Sequence, residues 1–178
     1  MPTTAPKPKS PVTAKLVDAR RIQEHFYHLD RKDVISRFFQ NKTCFFRNDI
    51  EGMFEIDYIK NLTILAVTGD FGFGAVVGIG AYMLEPVGNL AEVAFSVSRE
   101  WQGKKIATTI LHKLARAARE NNIAGLVAYT EPTNTAMIKL FSSLPYVVKK
   151  KRDNDMLVLT CHFTDVQPPD AAGPAGQN

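Results

Sequence analysis

Phe95-Ser-Val-Ser-Arg-Glu-Trp-Gln-Gly-Lys-Lys-Ile-Ala107 is the stretch that decides how this chain is read. An apolar alternation runs into it and breaks at Ser98. A turn follows, and Gln102-Gly103 then opens a long amphipathic segment. A strand, a tight turn and a helix start, in that order, leave the first helical amides without intrahelical acceptors, at the positive end of the helix dipole. Such an end receives an anion, for example a pyrophosphate. By itself the stretch also fits a plain strand-to-helix turn.

Outward from it, the helix is predicted from Lys104 to Glu120. Ile106, Ile110, Leu111, Leu114 and Ala118 form its apolar stripe, and Thr109, His112, Lys113, Arg116 and Arg119 its wet face. Upstream, Leu90 to Ser98 alternates, with Ala91, Val93, Phe95 and Val97 on one face and Leu90, Glu92, Ala94 and Ser96 on the other. Leu62–Thr68 and Ala75–Leu84 are rich in β-branched and apolar residues and flank Gly69-Asp-Phe-Gly-Phe-Gly74, which reads as a hairpin connection.

The first third has helical spacing instead: Ile22, Phe26 and Leu29, then Val34, Ile35, Phe38 and Phe39. Asn48 reads as a helix cap with Glu51 as its return partner, turning Ile50, Met53 and Phe54 inward. Downstream come a strand at Gly125–Tyr129, a helix at Asn134–Leu144, and a closing hairpin of Tyr146–Lys150 with Met156–Cys161. Helices, then antiparallel strands, then alternating helix and strand predict an α/β fold around a mixed sheet.

The 178 residues suffice for one domain with a proper core. Residues 1–13 and 165–178 are rich in Pro, Thr, Lys, Ala and Gly and read as disordered tails around a folded segment, 14–164. The net charge of +4 is too mild and scattered for a nucleic-acid footprint. The N-terminus lacks the apolar stretch of a secretory signal, and the longest apolar run, Gly72–Leu84, is too short to span a bilayer. Cys44 and Cys161 have no metal or redox spacing and fit reduced thiols in a cytoplasmic protein. The four histidines lack partners at ligand spacing, so no metal is expected. Lys149-Lys-Lys-Arg152 reads as a solvated turn.

Two motifs carry a family resemblance. Gln102-Gly103-Lys104-Lys105-Ile106-Ala107 is similar to the Gln/Arg-x-x-Gly-x-Gly/Ala phosphate loop of the GNAT N-acetyltransferase superfamily. Asn134-Thr-Ala-Met137, closing at Pro145-Tyr146, is similar to that family's second motif. Ser36-Arg37-Phe38-Phe39 and Ala91-Glu92-Val93-Ala94 resemble the acetyltransferase module of bacterial protein lysine acetyltransferases. The resemblance implies a GNAT-like, mostly antiparallel mixed sheet with helices on both faces. It further implies acetyl-CoA as acyl donor and an amine acceptor, first of all a protein lysine, with no membrane or nucleic-acid partner and a monomer or homodimer. Two departures stand out. Lys105 occupies the middle glycine of the phosphate loop, and Phe141 occupies the position of a tyrosine that can protonate the leaving thiolate.

Transfer of an acyl group from a thioester to an amine needs a deprotonated amine, a polarised carbonyl and two reactants held together. The amides of Gly103, Lys104, Lys105, Ile106 and Ala107, with Gln102 ahead of them, are expected to take the pyrophosphate. The strand end Phe95, Ser96 and Val97 is expected to pair with the pantetheine arm and polarise the thioester. Asn134 and Met137 are expected near that arm, while Asn134 equally fits a simple N-cap. Glu92, a carboxylate among small and apolar strand residues, is the candidate base, its pKa raised by partial burial; a solvated strand glutamate is the plainer alternative. A different class also fits: a non-catalytic acyl-CoA-binding sensor, to which Lys105 and Phe141 would belong. Within the enzyme class, a polyamine or amino sugar is the variant acceptor.

Overall fold

A computed structural model describes residues 11–14, 18–51, 57–69 and 74–168. Among these, β1 (Val12–Thr13), β2 (Asn61–Val67), β3 (Val76–Leu84), β4 (Leu90–Val97), β5 (Gly125–Thr130), β6 (Tyr146–Asp153) and β7 (Met156–Val166) form one sheet. The strand order is β1-β2-β3-β4-β5-β7-β6, antiparallel at every junction except β4 with β5. Helices α1 (Ala19–Tyr27), α2 (Arg31–Phe38) and α3 (Arg47–Glu51) precede β2. Helix α4 (Ile106–Glu120) links β4 to β5, and α5 (Thr135–Phe141) links β5 to β6.

The strand sequences show why the sheet is covered twice. Every residue of β2 from Leu62 to Val67 is buried, a near-continuous apolar run rather than an alternation. Leu62, Ile64 and Ala66 join the core under α4, while Leu65 and Val67 join Ile22, Phe26, Val34 and Ile50 in the core under α1–α3. Burying each such side chain contributes about 1.5–3 kcal/mol. All five stripe residues of α4 are buried as expected, with Ala115 added. Gly80 lets that helix close on β3, since a Cβ there would lie 2.4 Å from Ile110 Cγ2 and 2.8 Å from the Phe95 ring.

Several boundaries move. The ordered segment is wider than 14–164: Val12–Thr13 pair with Ile64–Leu65, and Ala14 N–H donates to Thr63 O at 2.9 Å. The open edge of β2 needs that partner, a demand no local composition reveals. At the other end β7 continues through Val166, held against Tyr146, and Gln167 N–H donates to Pro145 O at 3.0 Å. Helix α4 starts at Ile106 rather than Lys104, and α5 stops at Phe141 rather than Leu144. Helix α3 starts at Arg47, ahead of the expected Asn48 cap, because Asp49 accepts from Phe46 N–H at 2.7 Å. Phe39, expected inward, is the left-handed C-cap of α2 and is 47% exposed. Met53, Phe54 and residues 70–73 of the β2–β3 connection lie outside the described residues.

Candidate active site

β4 is paired along Ala91–Val97 with β3, but with β5 only at Leu90–Glu92. β5 instead follows β7 from Gly125 to Thr130. Each strand keeps its other neighbour, so the two part after Glu92. From Val93 onward the second edge of β4 has no strand partner, leaving backbone donors and acceptors that need another ligand. A cleft of about 500 Å³ opens at this wedge. Phe95, Ser96 and Val97 line it from β4, Gln102, Gly103 and Lys105–Ala107 from the loop and α4, and Asn134 and Met137 from α5. The sequence-predicted binding residues thus converge on one cavity, with Lys104 beside it, its ammonium 4.5 Å from the centre of the Trp101 ring.

The loop backbone explains the lysine that replaces a glycine. Lys105 is the N-cap of α4 at φ +61°, the left-handed conformation that a glycine adopts freely and that Lys adopts at a cost of about 1 kcal/mol or more. The loop follows a glycine-like path with a lysine in it, and the exposed side chain lines the cleft. Gly103 also has a positive φ, +73°, and a Cβ there would meet nothing within 4 Å, so backbone freedom rather than space requires it. No side chain caps α4, and the amides of Gly103–Ala107 find no acceptor among the described residues. Gln102 braces the loop: its amide donates to Asp33 Oδ2 at 3.0 Å and to Val97 O at 3.1 Å. Loss of hydration there raises the Asp33 pKa, against the opposing Gln102 hydrogen bond.

Asn134 caps α5 through its Oδ1, which accepts from Met137 N–H at 3.0 Å, and its Nδ2 donates to Ser36 Oγ on α2 at 3.0 Å. The cap therefore also ties α5 to α2 across the cleft mouth. Phe141 is fully buried in the core under α4 and is absent from the cleft wall. The position offers no proton donor, and a hydroxyl placed there would enter the core.

Glu92 opens into a second, adjoining cleft of about 240 Å³, shared with Arg37, Asn48, Asn61, Thr63 and Ala94. The two clefts lie in sequence along β4, with α2 contributing Asp33 and Ser36 to the first and Arg37 to the second. Glu92 is exposed, yet partial loss of hydration, then the Glu85 carboxylate, raises its pKa; the Arg37 guanidinium pulls the other way. Tyr129, whose hydroxyl donates to Glu85 Oε1 at 2.7 Å, is pushed up to about 12 by that bond, by burial and by the surrounding carboxylates.

Sequence reading missed the support beneath this strand. His25 is buried, with Nδ1 3.1 Å from Val76 O and Nε2 3.0 Å from Ser96 Oγ. Burial depresses its pKa to about 4. With Nδ1–H donating to the carbonyl, Nε2 accepts from the Ser96 hydroxyl, so a neutral imidazole pins α1 to β3 and β4 at the cleft. The partners lie 51 and 71 positions away, so the residues around His25 give no local sign of this. Arg37, in the Ser36–Phe39 motif, shares a cavity with Glu92 because of how α2 lies against β4, which no local pattern reveals.

A splayed parallel junction, an uncapped helix start and a carboxylate along one strand define an acyltransferase-type site. The acetyltransferase (GNAT) family model matches residues 25–144, and the chain belongs to that family. Its fold is similar to the GNAT domain of S. lividans PAT, at 21% identity over 92% of this chain and 99% of that one, with a TM-score of 0.78. It is also similar to yncA from Salmonella typhimurium, solved with its cofactor acetyl-CoA (17% identity, 94% and 100% coverage, TM-score 0.67). A third likeness is to spermidine N-acetyltransferase from Vibrio cholerae in complex with CoA and spermine (15%, 86% and 93%, TM-score 0.59).

Proposed function

We propose that this chain transfers the acetyl group of acetyl-CoA to the side-chain amine of a protein lysine by direct attack, with Glu92 as base. The observation that carries the proposal is the continuity of one strand. β4 carries Glu92 at its last pair with β5 and runs from there as an unpaired edge to the cleft beside the free amides of α4, each end lining a cleft. The amides of Gly103–Ala107 take the pyrophosphate as substrate anion, helped by the helix dipole. The free edge at Phe95–Val97 pairs with the amides of the pantetheine arm, and a backbone N–H there stabilises the oxyanion that forms. Glu92, directly or through a water, accepts the proton of the attacking ammonium. The amine nitrogen then bonds to the thioester carbon, the C–S bond breaks with its electron pair leaving on sulfur, and the second proton on nitrogen passes to the departing thiolate or to water.

The raised pKa of Glu92 supports this role, since a base nearer neutrality accepts a proton more readily. Lys105 holds a glycine-like φ, so its substitution is compatible with acyl-CoA binding. The test is CoA release from acetyl-CoA in the presence of lysine peptides, with mass spectrometry of the acceptor. Saturating peptide with no acetyl-lysine formed, while acetyl-CoA binds, would reject the lysine assignment.

A further inference from the structure

Arg37 is half-buried, and one atom of its guanidinium departs from the usual pairing of shielded polar groups. Its Nε is shielded from solvent and has no hydrogen-bond partner. Apart from the Phe38 ring, 5.2 Å from its Cζ, it has no hydrogen bond or ion pair with any described residue. Glu92 lines the same cavity but forms no salt bridge with it, and Asp49 is taken by Lys42 and the Phe46 amide. A shielded N–H left without an acceptor loses hydration and gains nothing in return. The cavity beside it is large enough for a side chain and is lined by Asn48, Asn61 and Thr63 as well as by the carboxylates of Glu92 and Asp49, the latter already paired with Lys42.

We infer that Arg37 is the specificity-determining residue of the acceptor cleft and binds a carboxylate carried by the acceptor close to its reacting amine. This deepens the protein-lysine reading and rests on it: the favoured acceptors are lysines with an aspartate or glutamate beside them. The cleft then offers an anion, Glu92, to the amine and a cation, Arg37, to the neighbouring carboxylate, so a zwitterionic pair is matched group for group. A planar guanidinium takes a carboxylate through two parallel hydrogen bonds, and such charge-assisted bonds are among the stronger ones. An acceptor that presents only positive charge satisfies Glu92 and leaves Arg37 as it is.

The experiment compares peptides that contain one lysine and either Glu or Gln immediately before or after it. Binding is measured by calorimetry with CoA present, so the result does not depend on turnover. Wild-type protein is expected to bind a Glu peptide about 10–100-fold more tightly than its Gln counterpart. Arg37→Met should reduce that preference to within about twofold, with CoA binding unchanged. Should Arg37→Met fail to fold, as judged by its melting transition, Arg37→Lys serves: a point charge in place of the fork should cut the preference severalfold. Glu preference that is lost in the variants, even with no acetyl transfer, upholds the inference while the lysine-acetylation reading fails. Equal affinity of wild type for Glu and Gln peptides, including no binding of either, overturns the inference, as does an Arg37 variant that keeps the full preference.

Discussion

Acidification should loosen this protein through one histidine. His25 is 2% exposed, and its pKa falls from an ordinary 6.5 to about 4. Burial is the main cause, with the His28 charge adding to it and the Val76 carbonyl opposing. The fold thus favours neutral His25. The associated stability is complete above pH 6.5, declines as pH falls through the interval to about 4, and falls no further below it. At about 1.36 kcal/mol per pH unit, the gap corresponds to roughly 3 kcal/mol. His25→Gln retains a donor for Val76 O and an acceptor for Ser96 but does not titrate. It should lower stability at pH 7 by about 1–2 kcal/mol through imperfect geometry. Urea unfolding at pH 7, 6, 5 and 4 would compare both proteins, with the carboxylates common to each cancelling in the difference. The wild-type advantage should shrink and reverse on acidification. A difference between the two proteins that stays constant from pH 7 to pH 4 would refute the reasoning and place the His25 pKa near its solution value.

Glu92→Gln should reduce turnover about 10²–10⁴-fold near neutral pH with acetyl-CoA binding nearly unchanged, and the deficit should narrow at high pH, where the amine deprotonates unaided. In wild type, initial rates should fall on acidification with an inflection above the ordinary carboxylate pKa, because the Glu92 pKa is raised; an inflection at or below 4.5 contradicts the assigned base. Lys105→Gly should raise unfolding stability by up to about 1 kcal/mol in chemical denaturation, since glycine relieves the φ of +61°; a clear loss would mean that the lysine side chain makes a compensating contact. Acetyl-CoA at ~100 times its dissociation constant should add roughly 2.7 kcal/mol to stability, and Gly103→Val should remove most of that gain by disfavouring the loop path at φ +73°. Gly80→Val should destabilise the fold by about 1–3 kcal/mol or more through the clash with Ile110 and Phe95, and an unchanged melting temperature would show that α4 can lift off β3.

Local rules were enough for much of this molecule. The stripe of α4 is legible because 3.6-residue periodicity survives any tertiary context, and the two-faced register of β4, with Glu92 and Ser96 opposite Val93 and Phe95, follows from the pleat alone. Gln102-Gly103 marked the turn ahead of α4 for the same reason, since turn chemistry belongs to neighbouring residues, although the helix itself begins at Ile106. What the sequence could not show depends on contacts between residues far apart in the chain. β1 exists because the edge of β2, some fifty residues on, needs a partner. Phe141 became core rather than cleft because of how α5 packs on α4. His25 reaches Ser96 across 71 positions, and Arg37 shares a cavity with Glu92 only because α2 crosses β4. The titration of such groups is decided by burial and by charges brought near in space, so the chain alone named the candidate base, and the tertiary structure supplied the cation beside it.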